Sequence, residues 1–337
     1  MKQTANNHPG KIKTEEFNLM DIAAYFLYKK QEKGSHALSE QTCSDLGTEE
    51  LFTFVDRTQS RVGQQYLYHT LCTVPRTTGE IEQNEDIIGH LQTDDGLRER
   101  LAKVLSGLRD TEAYMIVRLL TDELPNASGK TRITLTVLKF LPTLFLLLYL
   151  LTQVSTYGIL FLTAIIANVV IHYTFKMKSI DYIYSVPQLI KLMSIAGKLC
   201  KYPELSKLTE EIPEALATLK PIRRTALFLR IEDKIQSDIA AVVLLFTELI
   251  QIFFLTEPLS FLQSVSILKN KNREIETVYR FVGLVDSLLS VYFLREELPY
   301  YCLPGKTEGK QRLASEEMYH PLIEDCVANS ITIEGKS

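Results

Sequence analysis

The longest interruption of the polar background runs from Ile133 to Tyr173, ITLTVLKFLPTLFLLLYLLTQVSTYGILFLTAIIANVVIHY, where only Lys139 and His172 can carry charge. A helix needs about 20 apolar residues to cross a hydrocarbon core of about 30 Å. This stretch is too long for one crossing and fits two. The division falls at Gln153-Val154-Ser155-Thr156-Tyr157-Gly158, polar and ending in glycine, as a tight turn between antiparallel helices would be. The pattern predicts a transmembrane hairpin with legs at Val137–Thr152 and Gly158–Tyr173. Both legs are slightly short, so flanking Lys and Tyr side chains must reach for the interface or the bilayer must thin. Lys130, Arg132 and Lys139 lie at its start, and Lys176 and Lys178 follow it. Positive charge collects on the cytoplasmic side, which puts both flanks in the cytoplasm, at the inner membrane, and the turn outside. The alternative is a very apolar hairpin buried in a large soluble core, which would need other elements to cover two helices apolar all round.

A second apolar run, Ile239–Leu255, carries Glu248 and Gln251. A carboxylate at mid-membrane is costly, so the run is read as a buried soluble helix, with membrane contact as the alternative. Elsewhere the apolar period is 3.6. Val62, Tyr66, Leu67 and Leu71 share a face after Ser60, an N-cap residue, and Pro75 ends that helix. Thr77-Thr78-Gly79-Glu80 has capping-box spacing and opens another helix, with Ile81, Ile88 and Leu91 inward. Leu97, Leu101, Val104, Leu105 and Leu108 form the stripe of the next. Further amphipathic stretches are Pro187–Lys207, Glu210–Leu219, Ile222–Leu268 and Arg273–Leu298. Gly305–Ser315 reads as a polar loop, and Ile331–Ile333 alternates like the start of a strand, so an α/β domain is expected from near Glu317.

Composition adjusts this picture in three places. Gly (15) and Pro (12) are scarce for 337 residues, which favours helices over a sandwich or barrel. The net charge of −4 gives no global basic field, so any nucleic-acid contact must come from local patches such as Lys220/Arg223/Arg224/Arg230 or Lys269/Lys271/Arg273. Nearby Glu210, Glu211, Glu274 and Glu276 leave open the reading of a solvated helix face. The cysteines (Cys43, Cys72, Cys200, Cys302, Cys326) are odd in number and dispersed, which reads as reduced thiols and argues against structural zinc. The N-terminus has no apolar stretch of the signal-peptide kind.

Two stretches imitate a phosphate loop. Leu124–Thr131 ends in Gly-Lys-Thr but has Leu124 where the first glycine is needed, and Gly335-Lys336-Ser337 has Ser330 there. Asn126-Ala127-Ser128 is a glycosylation sequon that cytoplasmic flanks would leave unmodified. His320 has no nucleophile or carboxylate placed with it, and His69 and His90 are read as surface or rim residues on helices.

Leu51–Pro75, LFTFVDRTQSRVGQQYLYHTLCTVP, resembles the opening of the MutS core through Asp56, Arg57, Thr58, Ser60, Gly63, Leu67, Leu71 and Pro75. Ile81–Leu91 and Leu97–Glu112 are similar to the family's next segment, with Asn84 at its usual arginine and Asp110 and Glu112 as its acidic pair. VGLVDSLLSVYFLREELPYYCLP, which contains Asp286, resembles the segment near the end of that core. His320-Pro321 and the following residues to Ile333 resemble the strand that opens the ATPase domain. The resemblance departs from the family in lacking room before Leu51 for a mismatch-reading domain, in the inserted hairpin, and in stopping before the Walker motifs.

What the resemblance implies is a mainly α protein: an elongated helical body like the MutS core, with an inserted two-helix transmembrane hairpin and the start of an α/β ATPase domain. The expected divisions are 1–48, an N-terminal polar and helical segment; 49–130, the first half of the core helices; 131–178, the hairpin; 179–304, the second half; and 305–337, a linker and the start of the ATPase domain. By the same resemblance Asp56, Thr58, Gly63, Pro75, Asp286, His320 and Pro321 are structural positions, and Val327 and Asn329 face the adenine edge, with Cys326 replacing the stacking aromatic. DNA, contacted by Arg223, Arg224 and Arg230, would be the partner. ATP with magnesium would be the cofactor of the complete protein, and dimerisation would run through the ATPase domains. Residues 1–337 alone are expected to be inactive as an ATPase. The competing class is a non-enzymatic, membrane-anchored helical scaffold for protein partners.

Overall fold

Five of the early helices begin where a short polar side chain satisfies a first-turn N–H. In the computed structural model, which describes residues 17–32, 36–74, 77–121, 129–225, 238–305, 312–323 and 326–334, five such caps are formed. Asn18, Ser39, Ser60, Thr77 and Asp94 each accept a hydrogen bond from a backbone N–H of the helix that follows. In chain order the elements are α1 (Leu19–Lys30), α2 (Glu40–Asp45), α3 (Thr48–Val55), α4 (Arg61–Leu71), α5 (Thr78–Thr93), α6 (Asp95–Leu105), α7 (Arg118–Thr121), α8 (Gly129–Leu138), α9 (Leu141–Thr152), α10 (Ser155–Leu199), α11 (Ile212–Leu219), α12 (Ile222–Thr225), α13 (Asp238–Phe254), α14 (Thr256–Leu268), α15 (Asn272–Glu297), β1 (Arg312–Met318) and β2 (Asn329–Glu334). The protein is mainly helical, as expected. Pro75, Asn126–Ser128, Arg230 and Gly335–Ser337 lie outside the described residues.

The largest apolar core joins residues from both sides of the hairpin. Leu101 and Leu105 of α6, Leu189 and Leu192 of α10, Leu219 of α11, and Val278 and Leu289 of α15 are all buried in it. The segments before and after the hairpin thus fold as one body. α1 belongs to it as well, since Tyr25 sits in the same core and α1 packs along α4.

α4 and α15 cross closely, and two glycines permit it. A Cβ on Gly63 would stand 2.1 Å from the Asp286 carboxylate, and one on Gly283 would stand 2.5 Å from Cβ of Tyr66.

Among the described residues, three helical stretches are long and apolar enough to cross a membrane: Gly129–Thr152, Ser155–Met177 and Asn272–Glu297. The third is 67% buried and is the central core helix α15. The first two are 11% buried and form an apolar hairpin. Its turn is shorter than the sequence suggests. Gln153 takes a left-handed conformation (φ 57°) and the helix resumes at Ser155, so Gly158 lies inside α10, against the Tyr149 ring. The second leg also does not stop at Tyr173. It continues as a single 45-residue helix to Leu199, with Pro187 inside it, because burial of Val186, Leu189, Ile190 and Met193 holds the chain helical past the proline.

The expected continuous stretch Ile222–Leu268 is broken. Leu255 adopts φ 47°, and the helices on either side, Leu245–Phe254 and Thr256–Leu268, meet at 68°. Ile239–Leu255 is not the buried soluble helix that its carboxylate suggested: Leu245, Phe246, Leu249 and Ile250 are each more than half exposed. At the foot of the hairpin Leu135, Phe261, Leu262 and Val265 form a small separate core, against which Ile171 and Phe175 pack.

Beyond α15, β1 and β2 pair antiparallel, Arg312 opposite Glu334 and Ser315 opposite Ile331. The strand therefore begins within the stretch read as a polar loop. Glu317 (φ 51°) marks a register irregularity, and the Tyr300 hydroxyl donates to its carbonyl at 2.7 Å.

His69 takes the rim position of the two expected, half-buried on α4. It lies edge-on to Tyr25, with ring centroids 5.1 Å apart, and near Phe26 and Tyr66. Burial, then the Lys29 cation, pushes its pKa down to about 4. The unfolded chain takes up that proton near pH 6.5. Stability contributed by neutral His69 is therefore complete above about pH 6.5 and is lost as pH falls toward 4, by on the order of 2–3 kcal/mol. His69→Phe should flatten this acid limb in denaturant titrations repeated across pH; an unchanged limb would contradict the assignment. Gly283→Ala should cost about 1–3 kcal/mol through overpacking against Tyr66, and a midpoint equal to that of the parent would show that the crossing is looser than described.

Candidate functional site

Residues 56–60 connect α3 to α4 in a segment that is 7% exposed or less at every position. A buried strand-like segment must find partners for its backbone outside any helix or sheet. Here they come from α15. The Asp286 carboxylate accepts from the Gln59 N–H at 2.8 Å, the Ser60 N–H at 2.8 Å and the Ser60 hydroxyl at 2.5 Å, across up to 227 positions of sequence. The Ser60 hydroxyl in turn accepts from the Gly63 N–H at 2.9 Å, which caps α4. One turn further along α15, the Ser290 hydroxyl accepts from the Arg57 N–H at 2.8 Å and donates to the Val55 carbonyl at 3.3 Å.

Asp56, fully buried, accepts from the Thr58 N–H and hydroxyl and from the Gln64 amide at 2.7 Å. Tyr114 donates to the Gln64 carbonyl oxygen. Gln65 accepts from the Tyr279 hydroxyl at 2.5 Å and donates to the Asp21 carbonyl at 2.7 Å. The buried Arg57 guanidinium donates to the Glu297 carboxylate at 2.6 and 3.1 Å and to the Phe54 carbonyl. Burial pushes the Tyr279 hydroxyl well above its ordinary pKa, so it stays a donor. These groups satisfy one another, so the cluster holds two helices in register and presents no reactive group to a substrate.

The structure brings six residues of the sequence motifs, Asp56, Arg57, Thr58, Ser60, Gly63 and Asp286, into this one cluster. Gln64, Gln65, Tyr114, Tyr279 and Glu297, the partner of Arg57, are additions that the sequence reading missed. Their signal was present: a Gln pair between Val62 and Leu67, and Asp286 alone within the apolar run VGLVDSLLSVYF. Both are buried-polar patterns that need partners.

The other sequence-derived residues lie elsewhere. His320 and Pro321 are exposed; the Leu322 N–H donates to Nδ1 of His320 at 3.3 Å and the His320 N–H points to Sγ of Cys326, which orders the bend between the strands. Val327 is 77% exposed and the Asn329 amide donates to its carbonyl at 3.0 Å. As an open strand start with its amide engaged, this pair does not by itself fit an adenine. Arg223 and Arg224 are exposed on α12, which packs on α14, and the chain leaving α14 carries Lys269, Lys271 and Arg273. Lys271 pairs with Glu274 at 3.3 Å, which leaves Lys269 and Arg273 as the exposed cations of that cluster.

Asp286→Ala should leave the Gln59 and Ser60 N–H groups and the Ser60 hydroxyl buried without their acceptor and cost about 3–5 kcal/mol. Ser290→Ala should cost about 1–2 kcal/mol. Equal losses in guanidinium unfolding would remove Asp286 from its central place.

The chain matches no protein-family model, no curated protein and no solved structure, which leaves its own residues to carry the functional argument.

Proposed function

We propose that these residues form the helical body of a MutS-like, DNA-associated ATPase held at the inner face of a cytoplasmic membrane by the apolar hairpin. The observation that carries this reading is the seating of Ser60 and Gly63, next to the Asp56–Thr58 pair, against Asp286. Two motifs that resemble opposite ends of the MutS core, far apart in sequence, converge on one buried joint. ATP and magnesium belong to this reading through the resemblance alone, as does dimerisation through ATPase domains.

Anchoring is supported by exposure. Leu144, Leu147, Leu150, Ile159, Leu162 and Ile166 are between 48% and 65% exposed, an apolar surface that lipid covers and water does not favour. Lys130, Arg132 and Lys176 at its foot suit cytoplasmic flanks. DNA contact is supported by Arg223 and Arg224 on α12 and by the cations that follow α14.

A non-enzymatic scaffold is the second reading. It is favoured by the net charge of −4 and by exposed Glu210, Glu211 and Glu214 close in sequence to the arginines.

Duplex binding by the full chain in nanodiscs, measured across a salt series, separates the two. The DNA reading expects log K to fall linearly with log salt, with Arg223→Gln, Arg224→Gln and Arg230→Gln together reducing the slope by about one per phosphate contact removed. Absent or salt-insensitive binding would favour the scaffold. The anchor has its own check. A reporter at Thr156 should react from outside the cell, and a cytoplasmic reporter would exclude the hairpin topology.

A further inference from the structure

We infer that α13 is a third membrane-embedded element, entering only the body-proximal leaflet alongside the second leg of the hairpin. The inference rests on the hairpin lying in a bilayer, and it extends the anchor from two elements to three.

The outer face of α13 is apolar and open. Leu245 (60% exposed), Phe246 (62%), Leu249 (53%), Ile250 (54%) and Phe254 (40%) recur at helical spacing on one side. The opposite face carries the polar groups and docks on α10. The Asn168 amide donates to the Phe253 carbonyl at 3.0 Å, and the Tyr173 hydroxyl donates to Glu248 at 2.9 Å. These two bonds fix the direction: α13 advances from 248 to 253 as α10 runs back from 173 to 168. Asn168 is nine residues from Met177, the end of the second span, or about 14 Å along a helix. That is about half of a hydrocarbon core of about 30 Å.

At this depth α13 ends at Phe254 and, past Leu255, α14 turns away by 68°. A helix break frees backbone carbonyls, which hydrocarbon does not tolerate unless protein satisfies them. Asn168 does this for Phe253. The first turn of α14 is enclosed as well: Glu257 is buried, with a carboxylate oxygen 3.4 Å from Nε2 of the fully buried His172. Glu248 is no obstacle, because its partner Tyr173 is four residues from Met177, about 6 Å from the end of the span, where tyrosines sit at membrane interfaces. Ile166, Val170 and Tyr173 of the second leg are exposed as well, so both α10 and α13 offer apolar surface that lipid covers.

The chain contains no tryptophan, so single substitutions report their own surroundings. Leu249→Trp, with Phe246→Trp as a second position, would be compared with Leu162→Trp on the hairpin and Met20→Trp on α1. Each full-length variant is reconstituted in phosphatidylcholine vesicles with either brominated acyl chains or aqueous iodide. Leu249→Trp and Phe246→Trp should be quenched by brominated lipid as Leu162→Trp is, with iodide quenching several-fold weaker than for Met20→Trp. Bromines near the headgroup should quench them more than bromines near the chain end. Iodide access at both α13 positions, or insensitivity to both quenchers, with Leu162→Trp still lipid-quenched, would overturn the inference and leave the two-helix anchor standing. Iodide access at Leu162→Trp would overturn the anchor itself and this inference with it.

Discussion

Asp286 sits without solvent where α15 crosses the start of α4, and the surrounding helices are arranged so that a carboxylate can remain there. Removing it from water is costly, and donors from the 56–60 segment offset that cost only in one geometry. A slip of one residue along α15 would swing Asp286 by about 100° and leave donors and acceptor buried apart. Gly63 must therefore lack a side chain where the carboxylate passes, and Gly283 must lack one where Tyr66 passes. The cluster adds specificity of register to a core whose apolar residues would tolerate several registers. Because the joint ties the segment before α4 to the helix that follows the hairpin, the chain cannot close it until the whole insertion has been accommodated.

The second polar cluster of the protein is differently placed. Asn168, His172, Gln251 and Glu257 lie among apolar helices along the body-side half of the hairpin, near the small core of Leu135, Phe261, Leu262 and Val265. Phe175 and Phe261 meet edge-on there, with ring centroids 5.4 Å apart. Around Asp286 polar groups sort one helix register from another. Along the body-side half of the hairpin they let a helix end inside apolar surroundings without leaving its carbonyls bare.

Much of the helical body was legible from residue order because its signals are local. Ser60 and Thr77 cap the helices they were expected to cap, and Leu97, Leu101, Leu105 and Leu108 are buried as their spacing implied. The two apolar legs were legible from length and composition. Nonlocal features were not. Leu255 breaks a helix although leucine is a good helix former, because the docking of Phe253 on Asn168 and of Glu257 beside His172 sets the geometry. Pro187, a usual helix start, lies within α10 because its neighbours are buried on both sides of it. Asp56, Thr58, Gly63 and Asp286 could be picked out by resemblance, yet nothing in their spacing announced that they touch. Burial of the 56–60 segment depends on acceptors 227 and 233 positions away on α15, so no local signal marks it.

α10 is a single beam of 45 residues, about 68 Å from hairpin tip to core. With the hairpin anchored in a bilayer, its outer part would follow the tilt the bilayer imposes, and a thinner membrane tilts a helix of fixed apolar length further from the normal. The helix is continuous from that part through Pro187 to Leu189 and Leu192 in the body. For a tilt of about 10°, the end at Leu199 moves by about 6 Å relative to Met177. On the membrane-anchored reading, bilayer thickness would be converted into the orientation of the helical body, as the angle of a mast is set by the deck that holds it.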